Sequence, residues 1–198
     1  MIKTIIFDNG GVIIEDYWLI FTTRLDSAYG HNIGSITDKI IKLDKKATVG
    51  IITQEEVHEF IRKNIDKSFY KDLFTGEYPL RKDVVEYIKT VGEKFEVALL
   101  TNSFSDFDDQ NDIWKMESIF GENIFSSVKI GFRKPEPDIY LYVLNKLGKQ
   151  PNEVIFIDDR EKNTEGARSV GMNVIQFKSL KQLKIDLPRM IKEINGKK

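Results

Sequence analysis

The sequence predicts an α/β protein: a doubly wound parallel sheet of the Rossmann-like kind, with a small all-helical unit inserted after its first strand. Three observations lead there. Short apolar runs recur along the chain, most of them ending at a polar or glycine-rich turn. Helical patterns separate the later runs. One long stretch near the start has helical patterning and no run that reads as a strand. Strands that alternate with helices give a parallel sheet.

The first run is Ile2 to Phe7, and it ends in Asp8-Asn9-Gly10-Gly11. A continuous apolar run bounded by glycines reads as a strand buried on both faces. Four more strands are expected at Val97 to Leu100, Ile124 to Ile130, Val154 to Ile157 and Val174 to Phe177. Val84, Val85, Ile88 and Val91 share one helical face, and Ile139, Val143, Leu144 and Leu147 share another. Between about residues 15 and 80 the pattern is helical. There Thr53-Gln54-Glu55-Glu56 forms a capping box that opens a helix with Val57, Phe60, Ile61 and Ile65 inward. Tyr17, Trp18 and Phe21 read as part of that unit's own core. The expected division is an α/β core over 1–14 and 81–198 and a helical cap over 15–80. An insertion at this point sits over the carboxyl ends of the strands, where open α/β sheets bind ligands.

Bulk composition narrows the function classes. With 198 residues, 41% apolar and 31% charged, the chain reads as a globular protein that needs no disulfide or metal merely to fold. It has no Cys, which removes thiol nucleophiles and thiolate metal sites and fits a reducing compartment. A net charge of −1 gives no field for gathering nucleic acid or anionic lipid. No apolar run approaches a membrane span, and the N-terminal run breaks at Asp8, too early for a signal-peptide core. A cytoplasmic protein is expected, with no nucleic-acid or membrane partner; nothing in the sequence indicates its oligomeric state.

Chemistry-bearing residues stand at the strand ends. Asp8 follows the first strand, Thr101-Asn102-Ser103 the second, and Asp158-Asp159 the fourth, while Lys134-Pro135 precedes a helix. Parallel strands bring such ends to one edge. Carboxylates hold hard Mg²⁺ through oxygen. A hydroxyl and backbone N–H groups hold phosphate oxygens, and a lysine offsets transition-state charge. A carboxylate can also attack phosphorus and form a covalent intermediate. Singly, each residue has a plain structural reading: Asp8 as a turn former, Thr101-Asn102 or Asp158-Asp159 as helix caps, Lys134 as a solvated lysine. The joint pattern is what points to chemistry.

That joint pattern resembles the haloacid dehalogenase superfamily. Phe7-Asp8-Asn9-Gly10-Gly11-Val12 looks like its first motif and Leu99-Leu100-Thr101-Asn102 like its second. The stretch from Gly131 to Tyr140 is similar to the third, and Phe156-Ile157-Asp158-Asp159, with Asn163, Gly166, Ala167, Gly171 and Met172, to the fourth. The helical insertion, with Gly50-Ile51-Ile52-Thr53-Gln54-Glu55-Glu56, resembles the small cap common in the superfamily. The nearest subgroup is the phosphatase-like hydrolases related to the N-terminal domain of soluble epoxide hydrolase. The resemblance implies a Mg²⁺-dependent hydrolase that removes phosphate from a small phosphorylated metabolite. Asp8 would be the nucleophile and a metal ligand. Gly10 would offer its carbonyl to the metal, and Asp158 would be a direct ligand. Asp159 and Asn163 would act from behind these groups. Thr101, Asn102 and Lys134 would bind the phosphate, with Lys134 also paired to Asp8.

One position departs from the pattern. Phosphatases of this superfamily carry a second Asp two residues after the nucleophile, which protonates the leaving group; here that position is Gly10. General acid–base help is worth roughly 10²- to 10⁴-fold. Glu15, Asp16, His31 and His58 are the candidate replacements. The substitution keeps two alternatives open: a 2-haloacid dehalogenase-type hydrolase, whose halide leaves unprotonated, and a non-catalytic phosphate-binding protein. Against the dehalogenase, Asp158-Asp159 beside Asp8 would lack a compensating cation. A response-regulator receiver is excluded by chain order, because its acidic pair follows the first strand and its lysine the last.

Overall fold

β1 (Thr4–Phe7) lies at the centre of a five-stranded parallel sheet of order β3-β2-β1-β4-β5, in a computed structural model that describes residues 1–29, 34–66, 80–103 and 113–196. Its neighbours are β2 (Glu96–Thr101) and β4 (Val154–Asp158); β3 (Ile124–Ser126) and β5 (Asn173–Gln176) form the edges. Thr4 pairs with Glu96 on one side and Val154 on the other. The chain thus builds outward on one side of β1, returns, and builds outward on the other. The reversal leaves a crevice at the carboxyl ends of β1 and β4.

Strand side chains alternate between two faces. Ile5, Phe7, Val97, Leu99, Ile155 and Ile157 belong to one apolar cluster. It is covered by α4 (Lys82–Gly92), α5 (Ile113–Phe120) and α9 (Leu180–Asn195). Ile6, Ala98, Leu100 and Phe156 belong to the other, covered by α7 (Pro137–Leu147) and α8 (Glu161–Ser169). Both faces are buried, which is why the strands read as unbroken apolar runs.

The third expected strand needs correction. The run Ile124 to Ile130 is not one strand: only Ile124–Ser126 is extended, and α6 (Ser127–Ile130) is a single helical turn. The ladder explains this. Thr101, the last residue of β2, pairs with Ser126, so no partner strand remains beyond it. Ser127 Oγ instead exchanges hydrogen bonds with the main chain of Ser103, at 3.1 and 3.2 Å, and Gly131, at φ 82°, ends the turn.

Between β1 and α4 the described structure is helical: α1 (Tyr17–Tyr29), α2 (Gly34–Ala47) and α3 (Gln54–Asn64). They enclose an apolar cluster of their own, Phe21, Leu25, Ile40, Ala47, Val57, Ile61 and Ile65. The Thr53 capping box is formed in full. The side chains of Tyr17 and Trp18 lie outside the described residues. At the base of this unit, Ile14 bridges Leu80 and Arg81 N–H donates to Ile13 C=O at 2.8 Å. The Arg81 guanidinium also reaches Glu15, so entry and exit are tied together.

Candidate active site

Asp8 is the first residue past β1, and its N–H still donates to Ile157 C=O at 2.9 Å, so the strand ladder sets its place. The chain then turns sharply: the N–H groups of Val12, Ile13 and Ile14 all point to the Asn9 carbonyl, at 3.3, 2.8 and 3.0 Å. Gly11 is required in this turn. Its φ is +78°, and a Cβ there would stand 2.3 Å from Asp159 Oδ2. Gly10 is different, since a Cβ there would meet nothing within 4 Å.

Lys134 joins the strand ends. Its Nζ lies 2.7 Å from Asp8 Oδ1 and 2.8 Å from Asp158 Oδ2, and donates to Leu100 C=O at 3.0 Å. The side chain is 1% exposed, far from the solvated loop lysine of the plain reading. Burial would lower its pKa, but the charges of Asp158 and Asp8 outweigh that and hold the ammonium above its usual range. Burial, then the charge of Asp158, push the Asp8 carboxyl well above the usual range, against the pull of Lys134.

Asp158 is fully buried and well supplied with donors. Asn163 Nδ2 donates to both of its oxygens at 3.0 Å, and Arg160 N–H to Oδ1 at 2.9 Å. Asn163 is held in turn through its carbonyl by Tyr140 Oη, at 2.7 Å. Asp159 is the opposite case: its Oδ1 is buried without a hydrogen-bond partner. Burial and the neighbouring Asp158 push its carboxyl up to about 6. Oxygens of Asp8, Asp158 and Asp159 lie within 4.8 Å of one another. Ionised together beside one ammonium, they carry a net charge of −2 (three carboxylates less Lys134), and one divalent cation would neutralise it.

Thr101 ends β2 and is buried. Asn102 uses both ends of its side-chain amide on the main chain of Lys134, at 2.9 Å each. The structure therefore gathers Asp8, Thr101, Asn102, Lys134, Asp158, Asp159 and Asn163 at one end of the sheet. Of the four candidate acids, Glu15 pairs with Arg81 and His58 lies 3.4 Å from Gln54, whereas Asp16 pairs with Arg160 and its charge acts on Asp159 beside the cluster; His31 is outside the described residues. Sequence reading passed over Asp44 and left Arg133 and Arg160 without a role; these form a charged group beside the site. Asp44 offered a signal, since it stands four residues after Ile40 on the buried side of α2.

The acidic groups and the lysine thus stand at the switch point of a parallel α/β sheet, the place where open sheets of this kind bind ligands. Residues 2–171 match the family model of haloacid dehalogenase-like hydrolases, and the chain belongs to that family. Among relatives, flavin mononucleotide hydrolase 1 of Arabidopsis thaliana is 31% identical over 142 residues, 70% of this chain. D-ribitol-5-phosphate phosphatase of Bacteroides thetaiotaomicron is 26% identical over 198 residues, 89% of this chain and 92% of that protein. The match spans 58% of the Arabidopsis protein, and a match of 38% identity over 41% of this chain spans 15% of rat bifunctional epoxide hydrolase 2. A Bacteroides thetaiotaomicron HAD family enzyme, solved with magnesium and inorganic phosphate, superposes with a TM-score of 0.64 at 23% identity, covering 91% of this chain and 96% of that one. A 2-haloacid dehalogenase from Pseudomonas syringae does so with 0.60 at 14%, covering 89% and 86%. At these identities the structural likeness is one of fold. No described helix is long and apolar enough to cross a membrane.

Proposed function

We propose that the chain is a Mg²⁺-dependent phosphatase that acts on a small phosphorylated metabolite through an aspartyl-phosphate on Asp8. The observation that carries this reading is the 2.7 Å pair of Asp8 Oδ1 and Lys134 Nζ set against the three-carboxylate cluster. The residues suit a hard divalent cation: the donors are all oxygen, the net charge asks for two positive charges, and Asp159 Oδ1 is a buried oxygen in need of a partner. Asp8, Asp158 and the Gly10 carbonyl would hold the ion, with Asp159 and Asn163 behind them. Gly10 C=O accepts none of the turn's backbone hydrogen bonds, which fits that role. When bound, Mg²⁺ supplies charge neutralisation for carboxylates and phosphate oxygens.

This chain's own residues do the rest. The other carboxylate oxygen of Asp8 attacks phosphorus, the bond from phosphorus to the ester oxygen breaks, and that oxygen departs with the bonding electron pair as an alkoxide, which takes its proton from water. Water then cleaves the acyl phosphate, releasing phosphate and restoring Asp8. Lys134 balances negative charge in both steps. Thr101 and the adjoining loop N–H groups bind phosphate oxygens. Asn102 fixes Lys134 through its main chain, which makes its part in phosphate binding largely indirect. The helices of residues 15–80 act as a cap that opens and closes about Ile14–Glu15 and Pro79–Leu80, excluding water from the site; Pro79 itself lies outside the described residues.

Gly10 is the one feature that favours a second reading, carbon–halogen cleavage, in which no proton is needed. The −2 charge of the cluster weighs against it, because that chemistry proceeds without a metal. The relatives named for phosphate-ester hydrolysis support the first reading. The test is turnover of p-nitrophenyl phosphate with Mg²⁺ and after EDTA treatment. Mg²⁺-dependent release of nitrophenol supports the proposal; full activity in EDTA, or defluorination of fluoroacetate without ester hydrolysis, overturns it.

A further inference from the structure

A cavity of about 390 Å³ lies between α4 and the second half of α9. It is far from Asp8. Phe95 forms part of its wall and stands just before Glu96, the first residue of β2. The cavity therefore lies at the amino-terminal edge of the sheet, whereas the carboxylate cluster lies at the carboxyl edge. Its inner surface is apolar. Val91 and Leu187 belong to the buried core, and Phe95 and Ile191 pack against it half-buried.

The charge around this hollow has one sign. Lys94 and Lys192 line it and are exposed, and neither forms an ion pair among the described residues. The nearby acids are engaged elsewhere: Glu86 pairs with Lys89 at 2.8 Å, and Asp186 with Arg189 at 2.6 Å. A third ammonium, Lys184 Nζ, stands 5.6 Å from the centre of the Tyr87 ring, which is also part of the wall. Asn195 is committed, since its Oδ1 accepts from Ile2 N–H at 2.8 Å. Among the described residues the lining holds no carboxylate. An apolar hollow thus carries uncompensated positive charge in a chain whose net charge is −1.

We propose that this cavity is a second binding site, for a small amphipathic carboxylate such as a medium-chain fatty acid: the apolar body packs on Val91, Phe95, Leu187 and Ile191, and the carboxylate sits between Lys94 Nζ and Lys192 Nζ. Size and charge together set this class. Hollows of roughly 300 to 1,000 Å³ hold small molecules, whereas a stable protein partner covers about 800 Å² on each side. A wholly apolar ligand would gain nothing from the two ammonium groups, and an amine would be repelled by them. A carboxylate on an apolar chain uses both features at once. None of the lining residues is among the catalytic groups, so binding here is independent of the phosphatase chemistry.

The test is an NMR titration of the full, isotope-labelled chain with octanoate, 1-octanol and octylamine at low ionic strength. Octanoate should bind with a Kd on the order of 0.1 to 1 mM, the range open to a ligand of its size. Its amide shifts should concentrate on Tyr87 to Phe95 and Leu187 to Asn195. It should bind about three- to tenfold more tightly than 1-octanol, which is what two screened surface charges supply, and octylamine should bind most weakly. High salt should shrink that preference. Lys94→Glu combined with Lys192→Glu should invert the order, placing octylamine above octanoate. Thr90→Trp, which sets a large ring at the exposed rim, should block all three ligands. Circular dichroism on each variant guards against misfolding. No saturable shift with octanoate overturns the proposal, and so does octanoate binding that survives both Thr90→Trp and the charge reversal. Self-association on gel filtration that Thr90→Trp abolishes would show the hollow covered by a second copy of the chain, which also overturns it.

Discussion

Asn102 grips the main chain of Lys134 from both sides: its Nδ2 donates to the Lys134 carbonyl and its Oδ1 accepts from the Lys134 N–H, each at 2.9 Å. The lysine at the centre of the site is thus positioned by an amide from a different strand end. Asn102→Ala should lower kcat/KM about 10- to 100-fold, since the loss of two partly buried hydrogen bonds frees the loop that carries the ammonium. Asn102→Asp should be as damaging, because its carboxylate would face the Lys134 carbonyl. Steady-state kinetics on p-nitrophenyl phosphate, with thermal unfolding as a control, checks both. Wild-type kinetics in Asn102→Ala would overturn this positioning role.

Gly10 has room for the side chain it lacks, because a Cβ there meets nothing within 4 Å. In the wild type the departing oxygen has no proton donor at this position, so kcat/KM should rise steeply as leaving-group pKa falls. Gly10→Asp should flatten that slope and favour alkyl phosphates by about 10- to 100-fold. A plot of log kcat/KM against leaving-group pKa for both proteins measures it. Equal, shallow slopes would mean that another acid already acts.

Gly11 has no such room. Gly11→Ala puts a methyl group 2.3 Å from Asp159 Oδ2 and also strains a φ of +78°. Displacing Asp159 should weaken Mg²⁺ binding and cost about 1–3 kcal/mol of stability. Mg²⁺ titration followed by unfolding temperature reads both effects together. Unchanged Mg²⁺ affinity would separate Asp159 from the ion.

Asp44 gives a pH signature. Burial pushes its carboxyl up to about 6 in the folded chain, against 3.8 for a free aspartate. Between those values the folded state binds more protons than the unfolded one, so the contribution of Asp44 to stability falls as pH rises through the window. Above it the ionised, buried carboxylate is a standing cost. Asp44→Asn should therefore gain at most about 3 kcal/mol at pH 7 to 8 and nothing below pH 4. Urea unfolding of both proteins across pH 4 to 8 tests the sign; a variant less stable at pH 7 refutes it.

Strands with both faces buried were legible in the sequence because their signal is local: Ile5 and Ile6 are both apolar since each meets a different core. The capping box of Thr53 was legible for the same reason. The end of β3 was not, because it depends on where β2 stops, and pairing length is a property of two segments. The positions of Asp8, Lys134 and Asp158 follow from motif order, whereas the use of the Asn102 amide on Lys134 depends on a contact across 32 residues. Asp44 and Arg133 are further apart still, and no local pattern couples a helix carboxylate to a loop guanidinium.

The central strand is also the first to be made. Thr4 pairs with Glu96 and Val154, so β1 leaves the ribosome long before either neighbour exists. Until then Thr4–Phe7 is a short apolar segment with two open edges, the kind of segment that other chains can pair with. Contacts of such sequence separation close slowly. No shorter nascent chain can assemble the lysine–carboxylate pair, because Asp8 waits for Lys134 and both wait for Asp158. The three-residue cluster is therefore completed only once Asp158 has been made, and the yield of folded chain in a cell should respond to chaperones that shield the first strand.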